Sequence, residues 1–243
     1  MALDLTLDGT VALVTGGVRG VGLGITRAFQ RSGATVVTCA RNAPAHPVAE
    51  FVACDVRDPD AVGRLLDTVL DRHGRLDTLV NNAGGTPVAP AGTASPRFHT
   101  AVVGLNLLAP LLVSQRANEI MQRQESGGAI VMVSSVSATR PSPGTAAYGA
   151  AKAGLDNLTA SLAVEWAPKV RVNALDVGPV RTERAESYYG DVDAVGRTIP
   201  LGRLAEPEEV GCCAVFLASP LAGYVSGATL LVHGGGGGSE RTV

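Results

Sequence analysis

Two residues, Tyr148 and Lys152, have the chemical types and the spacing needed for proton transfer. They lie four positions apart in the segment YGAAK, within a stretch that reads as helix, so their side chains share one helical face. A free tyrosine has a pKa of about 10, too high for ready proton exchange near neutral pH. A nearby ammonium favours the phenolate and lowers the pKa of the tyrosine toward the range useful for general acid-base catalysis. The spacing alone is also common on exposed helices.

A glycine-rich turn after the first predicted strand is a candidate phosphate-binding site. The segment TGGVRGVG places Gly16, Gly20 and Gly22 in a G-x3-G-x-G pattern directly before a predicted helix. The free N–H groups and partial positive charge of a helix N-terminus attract a pyrophosphate. Arg19 and Val21 would contact the same ligand. A turn that serves only tight packing of strand on helix is the alternative.

Seven apolar strand candidates alternate with helical patterns. The strand candidates are 11–14, 35–39, 51–54, 78–81, 129–133, 170–175 and 229–232, and the helix candidates are 21–31, 59–73, 96–125, 147–166 and 207–218. Strands separated by helices imply parallel pairing, and nearly continuous apolar strands imply burial on both faces. The sequence therefore predicts an α/β fold: one Rossmann-like domain over 1–243, a doubly wound parallel sheet with helices on both faces.

Composition excludes several classes of protein. The chain has 243 residues, 46% hydrophobic and 17% charged, which suits a folded domain and not a disordered chain. The net charge is −2 and the Lys and Arg residues are scattered, so nucleic acid is not expected as a partner. The sequence shows neither a signal-peptide pattern nor an uncharged apolar stretch approaching about 18 residues, so we expect a cytoplasmic protein that does not bind a membrane. The four cysteines have neither metal-ligand nor disulfide spacing, so we expect no metal site.

Several motifs, in order over essentially the whole chain, resemble the short-chain dehydrogenase/reductase family. They are the glycine spacing, NNAG at 81–84, YGAAK at 148–152 and GATLLVHGG at 227–235. The resemblance implies a nicotinamide cofactor that moves a hydride, while Tyr148 moves a proton and Lys152 also binds the nicotinamide ribose. A carbonyl reductase or secondary-alcohol dehydrogenase is the leading interpretation. A 3-oxoacyl thioester reductase of fatty-acid type and a catalytically silent nucleotide-binding regulator are the alternatives.

The resemblance adds Ser135 and Asn106 to the candidate catalytic residues. Ser135 ends the fifth predicted strand, 13 residues before Tyr148, and its hydroxyl would orient the substrate oxygen; Ser134 is the competing assignment. Asn106 matches the position that holds a water in a proton relay to the lysine, and a buried amide that only satisfies backbone groups is the alternative. The presence of all four candidates, Asn106, Ser135, Tyr148 and Lys152, argues against a silent regulator.

The resemblance also implies cofactor contacts at the ends of several strands. Asp55 would contact the adenine, with a solvated carboxylate as the alternative, and Thr182 would meet the carboxamide. The remaining implied contacts are Val56, Asn82, Ala83, Gly84 and Gly178. The chain has Val177-Gly178 where relatives usually have Pro-Gly, and His233 where an acidic residue is frequent, so local differences are expected at both places.

The residues after the second strand favour NADP(H) over NAD(H). An NAD-selective site places Asp or Glu there to accept from the ribose 2′-OH and repel a 2′-phosphate. This chain has Ala40 at that position and Arg41 beside it. A guanidinium matches phosphate oxygens in geometry and charge, and Arg19 is a second candidate for the same group. The alternative makes Arg41 a solvated loop charge and Arg19 a helix-start residue.

The remaining expectations concern substrate and assembly. The segment 182–206 is predicted to be a lid over a moderately apolar ketone or alcohol substrate, and 234–243 a flexible tail. The family resemblance and the apolar stretches 105–113 and 155–164 predict a homo-oligomer, a tetramer. A fatty-acid role would need a basic surface for the acyl carrier, for which the candidates are Arg116, Arg123 and Arg140.

Overall fold

Seven runs rich in valine, leucine and alanine form one sheet in the computed structural model, which describes residues 5–236. The strands are β1 (Val11–Thr15), β2 (Thr35–Ala40), β3 (Glu50–Ala53), β4 (Thr78–Asn81), β5 (Gly128–Val133), β6 (Val170–Val177) and β7 (Thr229–Val232). Their order is β3-β2-β1-β4-β5-β6-β7, and every neighbouring pair is parallel.

Eight α-helices lie among the described residues. They are α1 (Gly20–Arg31), α2 (Pro59–His73), α3 (Pro96–Val103), α4 (Ala109–Arg123), α5 (Ala146–Glu165), α6 (Ala185–Tyr189), α7 (Val192–Thr198) and α8 (Pro207–Ala218). Helix starts follow local chemistry, as at α2, where the Asp58 carboxylate accepts from the N–H groups of Asp60 and Ala61 and Pro59 occupies the first turn.

The sheet is buried on both faces, as alternation along β1 illustrates. Val11 and Leu13 belong to an apolar cluster with residues of α2, α4 and α5. Ala12 and Val14 point the other way, into a second cluster with residues of α1 and α8. Successive side chains of a strand face opposite sides, so one continuous apolar run serves both layers. The predicted doubly wound sheet with helices on both faces is confirmed.

The strand order reverses between β1 and β4, and this reversal creates the site. The chain leaves β1 toward α1 on one face of the sheet and leaves β4 toward α4 on the other face. The two connections therefore diverge and open a crevice at the carboxyl ends of the strands, where ligands of such sheets bind.

The long helix predicted over 96–125 is interrupted. Between α3 and α4 a π-helical turn spans Gly104–Leu108 and contains Asn106. An extra residue in one turn rotates the helix locally, and such turns are frequent at functional sites.

The helical run Pro96–Arg123 is long and apolar enough to cross a membrane by length and composition. In the fold this run packs against one face of the sheet, because Val113, Ala117 and Met121, spaced by four, are buried in the apolar cluster with residues of α2 and α5.

The segment 182–206 has more structure than the sequence indicated. It contains α6 and α7, and a small core of its own forms from Ala185, Val192, Ile199 and Leu204. A single bridge joins Val180 to Ala205, so the segment leaves and returns at neighbouring points. Of the predicted tail, residues 237–243 lie outside the described residues.

Candidate active site at the carboxyl ends of the strands

The glycine turn between β1 and α1 adopts a conformation that requires glycine. Gly16 and Gly20 have φ angles of 65° and 52°, in the left-handed region that other residues rarely adopt. A Cβ at Gly22 would lie 2.2 Å from the carbonyl oxygen of Gly16. The turn therefore brings backbone N–H groups to the surface of the crevice, where an anion can approach them.

Thr15 and Asn82 hold this turn against the end of β4. The Asn82 amide donates to the carbonyl oxygens of Thr15 (2.9 Å) and Gly16 (3.2 Å). The Thr15 hydroxyl accepts from the backbone N–H groups of Asn82 and Ala83, both at 3.0 Å. The sequence analysis did not single out Thr15, because only the neighbourhood of β1 and β4 reveals its role.

A carboxylate already lies on the glycine turn. Glu183 Oε2 accepts from the Gly20 N–H at 3.2 Å, at the first residue of α1. The side chain of Thr182 lies beside Gly20 as well. The sequence analysis missed Glu183, which is 163 residues from its partner and has no motif to mark it.

The residues expected near the adenine are partly engaged with the protein itself. Asp55 accepts two hydrogen bonds from the Arg57 guanidinium, at 2.9 and 2.6 Å, and Arg57 lowers the pKa of the Asp55 carboxyl. Arg41 is exposed, and its charge acts in the same direction on Asp55. Val56 is buried in the core. An adenine contact by Asp55 would therefore have to share the carboxylate with Arg57.

Tyr148 and Lys152 lie together on α5, as their spacing predicts. The Lys152 Nζ is 5.6 Å from the centroid of the Tyr148 ring, within the range of a cation–π interaction. The same Nζ donates to the carbonyl oxygen of Val133, the last residue of β5, at 2.7 Å. A Cβ at Gly84 would lie 3.6 Å from this nitrogen. The segment after β4 and the end of β5 thus meet at Lys152.

Burial dominates the proton equilibria of this pair. It raises the pKa of Tyr148 to about 12, against an opposing hydrogen bond with Ser135. It lowers the pKa of Lys152 to about 8, against the opposing charges of Asp156 and Asp176. The net lowering of the tyrosine pKa expected from the sequence is therefore not found in the structure, because desolvation of the phenolate is the larger effect.

Ser135 stands next to Tyr148 where β5 gives way to a short 3-10 turn. Its Oγ accepts from the Ser137 N–H at 3.2 Å and contacts the tyrosine hydroxyl. Ser134 faces elsewhere, its hydroxyl lying 3.4 Å from the carbonyl oxygen of Lys152. Of the two serines, Ser135 thus lies beside the candidate proton donor.

The Asn106 side chain makes three hydrogen bonds to backbone. Its Oδ1 accepts from the Gly85 N–H at 2.8 Å, and its Nδ2 donates to the carbonyl oxygens of Gly85 (3.0 Å) and Val102 (2.9 Å). These bonds fit the alternative in which a buried asparagine satisfies backbone groups. They also tie the π turn to the segment that reaches Lys152.

The segment after β6 approaches the site closely. The Gly178 N–H donates to the carbonyl oxygen of Val232 at 3.0 Å, and a Cβ at Gly178 would lie 2.9 Å from the Cα of His233. The backbone beyond β6 and β7 therefore packs tightly at the two places where the sequence departs from the family pattern.

A recess beside Tyr148 is lined by residues that the sequence analysis did not select. Phe98, His99 and Ala89 line this recess. Tyr188 and Tyr189 of α6 act electrostatically on Tyr148 and raise its pKa further. The candidate site can thus bind an anion at the glycine turn and exchange a proton at Tyr148.

Comparison with known proteins finds relatives over nearly the whole chain. Residues 16–236 match the family model described as enoyl-(acyl carrier protein) reductase. The D-threitol dehydrogenase of Mycolicibacterium smegmatis is 37% identical, with 96% of this chain and 94% of the relative covered. The 3-oxoacyl-(acyl-carrier-protein) reductase of Synechocystis is 36% identical, with 94% and 97% covered.

The fold has close counterparts among solved structures. The ligand-free aldohexose dehydrogenase of Thermoplasma acidophilum superposes with a TM-score of 0.91 at 29% identity, over 98% of this chain and 97% of that one. A short-chain alcohol dehydrogenase from Sinorhizobium meliloti gives a TM-score of 0.89 at 34% identity, over 96% and 98%. With the family model matched over most of its length, the chain belongs to the short-chain dehydrogenase/reductase family of NAD(P)-dependent oxidoreductases.

Proposed function

We propose that the protein is an NADP(H)-dependent oxidoreductase that interconverts a ketone and a secondary alcohol, with Tyr148 as proton donor and acceptor. The observation that carries this proposal is the meeting of Ser135, Tyr148 and Lys152 at the edge of the sheet that holds the glycine turn. Among reaction classes, hydride transfer to a carbonyl needs this combination of an anion-binding turn and a proton donor.

The glycine turn is suited to hold the cofactor pyrophosphate. The Glu183 carboxylate on the Gly20 N–H occupies the place of an anion there, which supports an anion-binding function for the N-terminus of α1. We propose the following residues as cofactor contacts: Gly16, Arg19, Gly20, Val21, Gly22, Arg41, Asp55, Val56, Asn82, Ala83, Gly84, Tyr148, Lys152, Gly178 and Thr182.

The chain's own residues would manage the proton. When bound, the nicotinamide supplies or accepts the hydride. Because its pKa is raised, Tyr148 is protonated at neutral pH and can donate to a developing alkoxide. The phenolate left behind is stabilised by the Lys152 ammonium and by the Ser135 hydroxyl, an effect that grows as charge develops. Asn106 would act by positioning the backbone beside Lys152.

The contacts of the arginines weigh against the fatty-acid alternative. Arg116 is held by the carboxylates of Asp67 and Glu119, at 2.7 and 2.6 Å, and Arg140 donates to the carbonyl oxygen of Gly236. Since two of the three candidate arginines are engaged within the chain, they do not favour docking of an acyl carrier. A substrate panel should begin with polyols and sugars, because two similar proteins are named as a D-threitol dehydrogenase and an aldohexose dehydrogenase.

We propose that the protein is cytoplasmic and forms a homo-oligomer, a tetramer, and exposed apolar side chains support the assembly. Leu108 lies in the predicted apolar stretch 105–113 and is 51% exposed, and Val164 lies in the stretch 155–164 and is 79% exposed. Leu231 on the edge strand β7 is 56% exposed. Unpaired sheet edges and large apolar side chains are commonly covered by a second subunit.

Replacing Tyr148 by Phe is expected to lower kcat by about 10²- to 10⁴-fold, because it deletes the proton donor and keeps the ring. Cofactor binding, followed by fluorescence titration, should stay near the wild-type value. Turnover close to the wild-type value in this variant would contradict the mechanism. If the wild-type protein binds the cofactor but turns over no substrate of the panel, the silent regulator is favoured instead.

Glu183→Ala is expected to tighten cofactor binding by about two- to fivefold, because it removes a carboxylate that competes for the N-terminus of α1, a contact worth about 0.3–1 kcal/mol. Equilibrium titration with NADPH measures the change. Glu186→Ala, an equal loss of charge at an exposed position of α6, is the control and should leave the Kd unchanged. Equal or weaker binding by Glu183→Ala would refute the competition.

The double variant Ala40→Asp, Arg41→Ala is expected to shift the preference from NADP(H) toward NAD(H). A charge-assisted contact to the 2′-phosphate contributes about 1.5–3 kcal/mol, hence about tenfold or more in discrimination. The ratio of kcat/KM for the two cofactors measures it. A wild-type enzyme that uses NAD(H) as well as NADP(H) would show that the arginines bind no phosphate.

Light scattering at micromolar concentration is expected to give the mass of a tetramer. Val164→Asp should reduce that mass, because it places a charge in a proposed apolar contact. Val48→Asp is the matched control, since Val48 is 44% exposed in the β2–β3 connection, and it should leave the mass unchanged. A wild-type monomer would disprove the proposed assembly.

A further inference from the structure

Four buried polar side-chain atoms in residues 5–236 lack a hydrogen-bond partner, and all four belong to three residues around the ends of β6 and β7. They are Oδ1 of Asp156, both carboxylate oxygens of Asp176 and Nδ1 of His233. Asp176 lies on β6 and is 0% exposed. A buried carboxylate without a partner is costly, so this cluster requires an explanation.

The two carboxyl groups lie beside the proposed proton machinery. Tyr148, Lys152 and Asp156 recur at every fourth position of α5 and therefore share one face. Asp156 and Asp176 interact directly with each other, and both act electrostatically on Lys152. The other groups facing the pair are the hydroxyl of Ser134, the backbone N–H of Ser135 and the ring of His233.

Ionised carboxylates can only accept hydrogen bonds, so two of them in contact leave their facing oxygens without a donor. One proton between them converts one carboxyl into a donor and removes the repulsion of like charges. A cation would serve the same purpose, but no group of three or more metal-binding side chains comes together within the described part of the chain.

We propose that Asp156 and Asp176 form a carboxyl pair that shares one proton in mildly acidic solution and releases it toward neutral pH, where its negative charge beside Lys152 keeps the buried ammonium charged; both act as positioning residues. Burial raises the pKa of Asp156 to about 6 and also raises the pKa of Asp176, which agrees with a shared proton. The effect on Lys152 rests on the proposed function, whereas the shared proton itself does not.

Infrared spectroscopy of the ligand-free protein tests the shared proton directly. At pH 5.5, ordinary surface aspartates with a pKa of about 3.9 are ionised, whereas the pair should give the C=O band of a protonated carboxyl that fades with a midpoint near pH 6. Asp156→Asn and Asp176→Asn should each remove this band. Asp71→Asn, which removes a charge from the exposed face of α2, should retain it. A wild-type spectrum without the band, or a band that survives in both pair variants, overturns the proposal.

The pair also predicts the sign of a stability change. Because the folded-state pKa exceeds the unfolded value, the stabilisation it provides is complete below about pH 4 and is lost as pH rises through about 6. Relative to Asp176→Asn, the folding constant of the wild type should fall by up to about tenfold per pH unit across that window. Urea unfolding followed by the fluorescence of the single tryptophan measures it, and parallel pH profiles in the two proteins would contradict the proposal.

The pH profile of catalysis tests the link to Lys152. In Asp176→Asn the ammonium loses a supporting charge, so the alkaline decline of kcat for ketone reduction should begin about one pH unit lower than in the wild type. A merely structural defect would lower kcat equally at every pH, and that result would overturn the positioning role. If the wild type reduces no ketone, the proposed function fails while the infrared result still decides whether a proton is shared.

Discussion

The burial of one ammonium, that of Lys152, is the constraint around which the site is arranged. Its helix α5 crosses the end of β5, and the lysine nitrogen is held there by the carbonyl oxygen of Val133. Burial removes water from the ammonium and disfavours its charge. Carbonyl oxygens, an aromatic face and carboxyl groups of the surrounding protein must therefore compensate for the lost solvation. Tyr148 and the pair of Asp156 and Asp176 lie where such compensation is needed.

The parallel sheet makes this arrangement possible. Its strands all end at one edge, so residues distant in sequence, such as Thr15 and Asn82, meet without any local signal between them. The reversal of order between β1 and β4 opens the crevice, and the π turn at Asn106 ties the segment after β4 to the helix that follows. The proposed anion binding and proton transfer would thereby take place at the same edge of the sheet.

Local patterns predicted the fold well, because apolar runs and glycine turns are read from neighbouring residues. Tyr148 and Lys152 could be paired from helical spacing alone. The contacts of Glu183 with the glycine turn and of Asp156 with Asp176 could not be predicted, since each joins segments with no shared motif. The sign of the tyrosine pKa shift was also wrong, because a sequence shows a neighbouring charge but not the depth of burial that outweighs it.

The central claim is that the Lys152 charge makes proton transfer at Tyr148 possible. The most direct measurement is the pH dependence of kcat/KM for alcohol oxidation in the wild type and in Lys152→Met, a neutral side chain of similar length. In the wild type, log kcat/KM should rise with pH and level off near pH 8, where Lys152 loses its proton, because the active form needs the phenolate and the ammonium together. In Lys152→Met the rise should continue for about one pH unit or more beyond that point, from lower values of kcat/KM. An inflection at the same pH in both proteins would contradict the account.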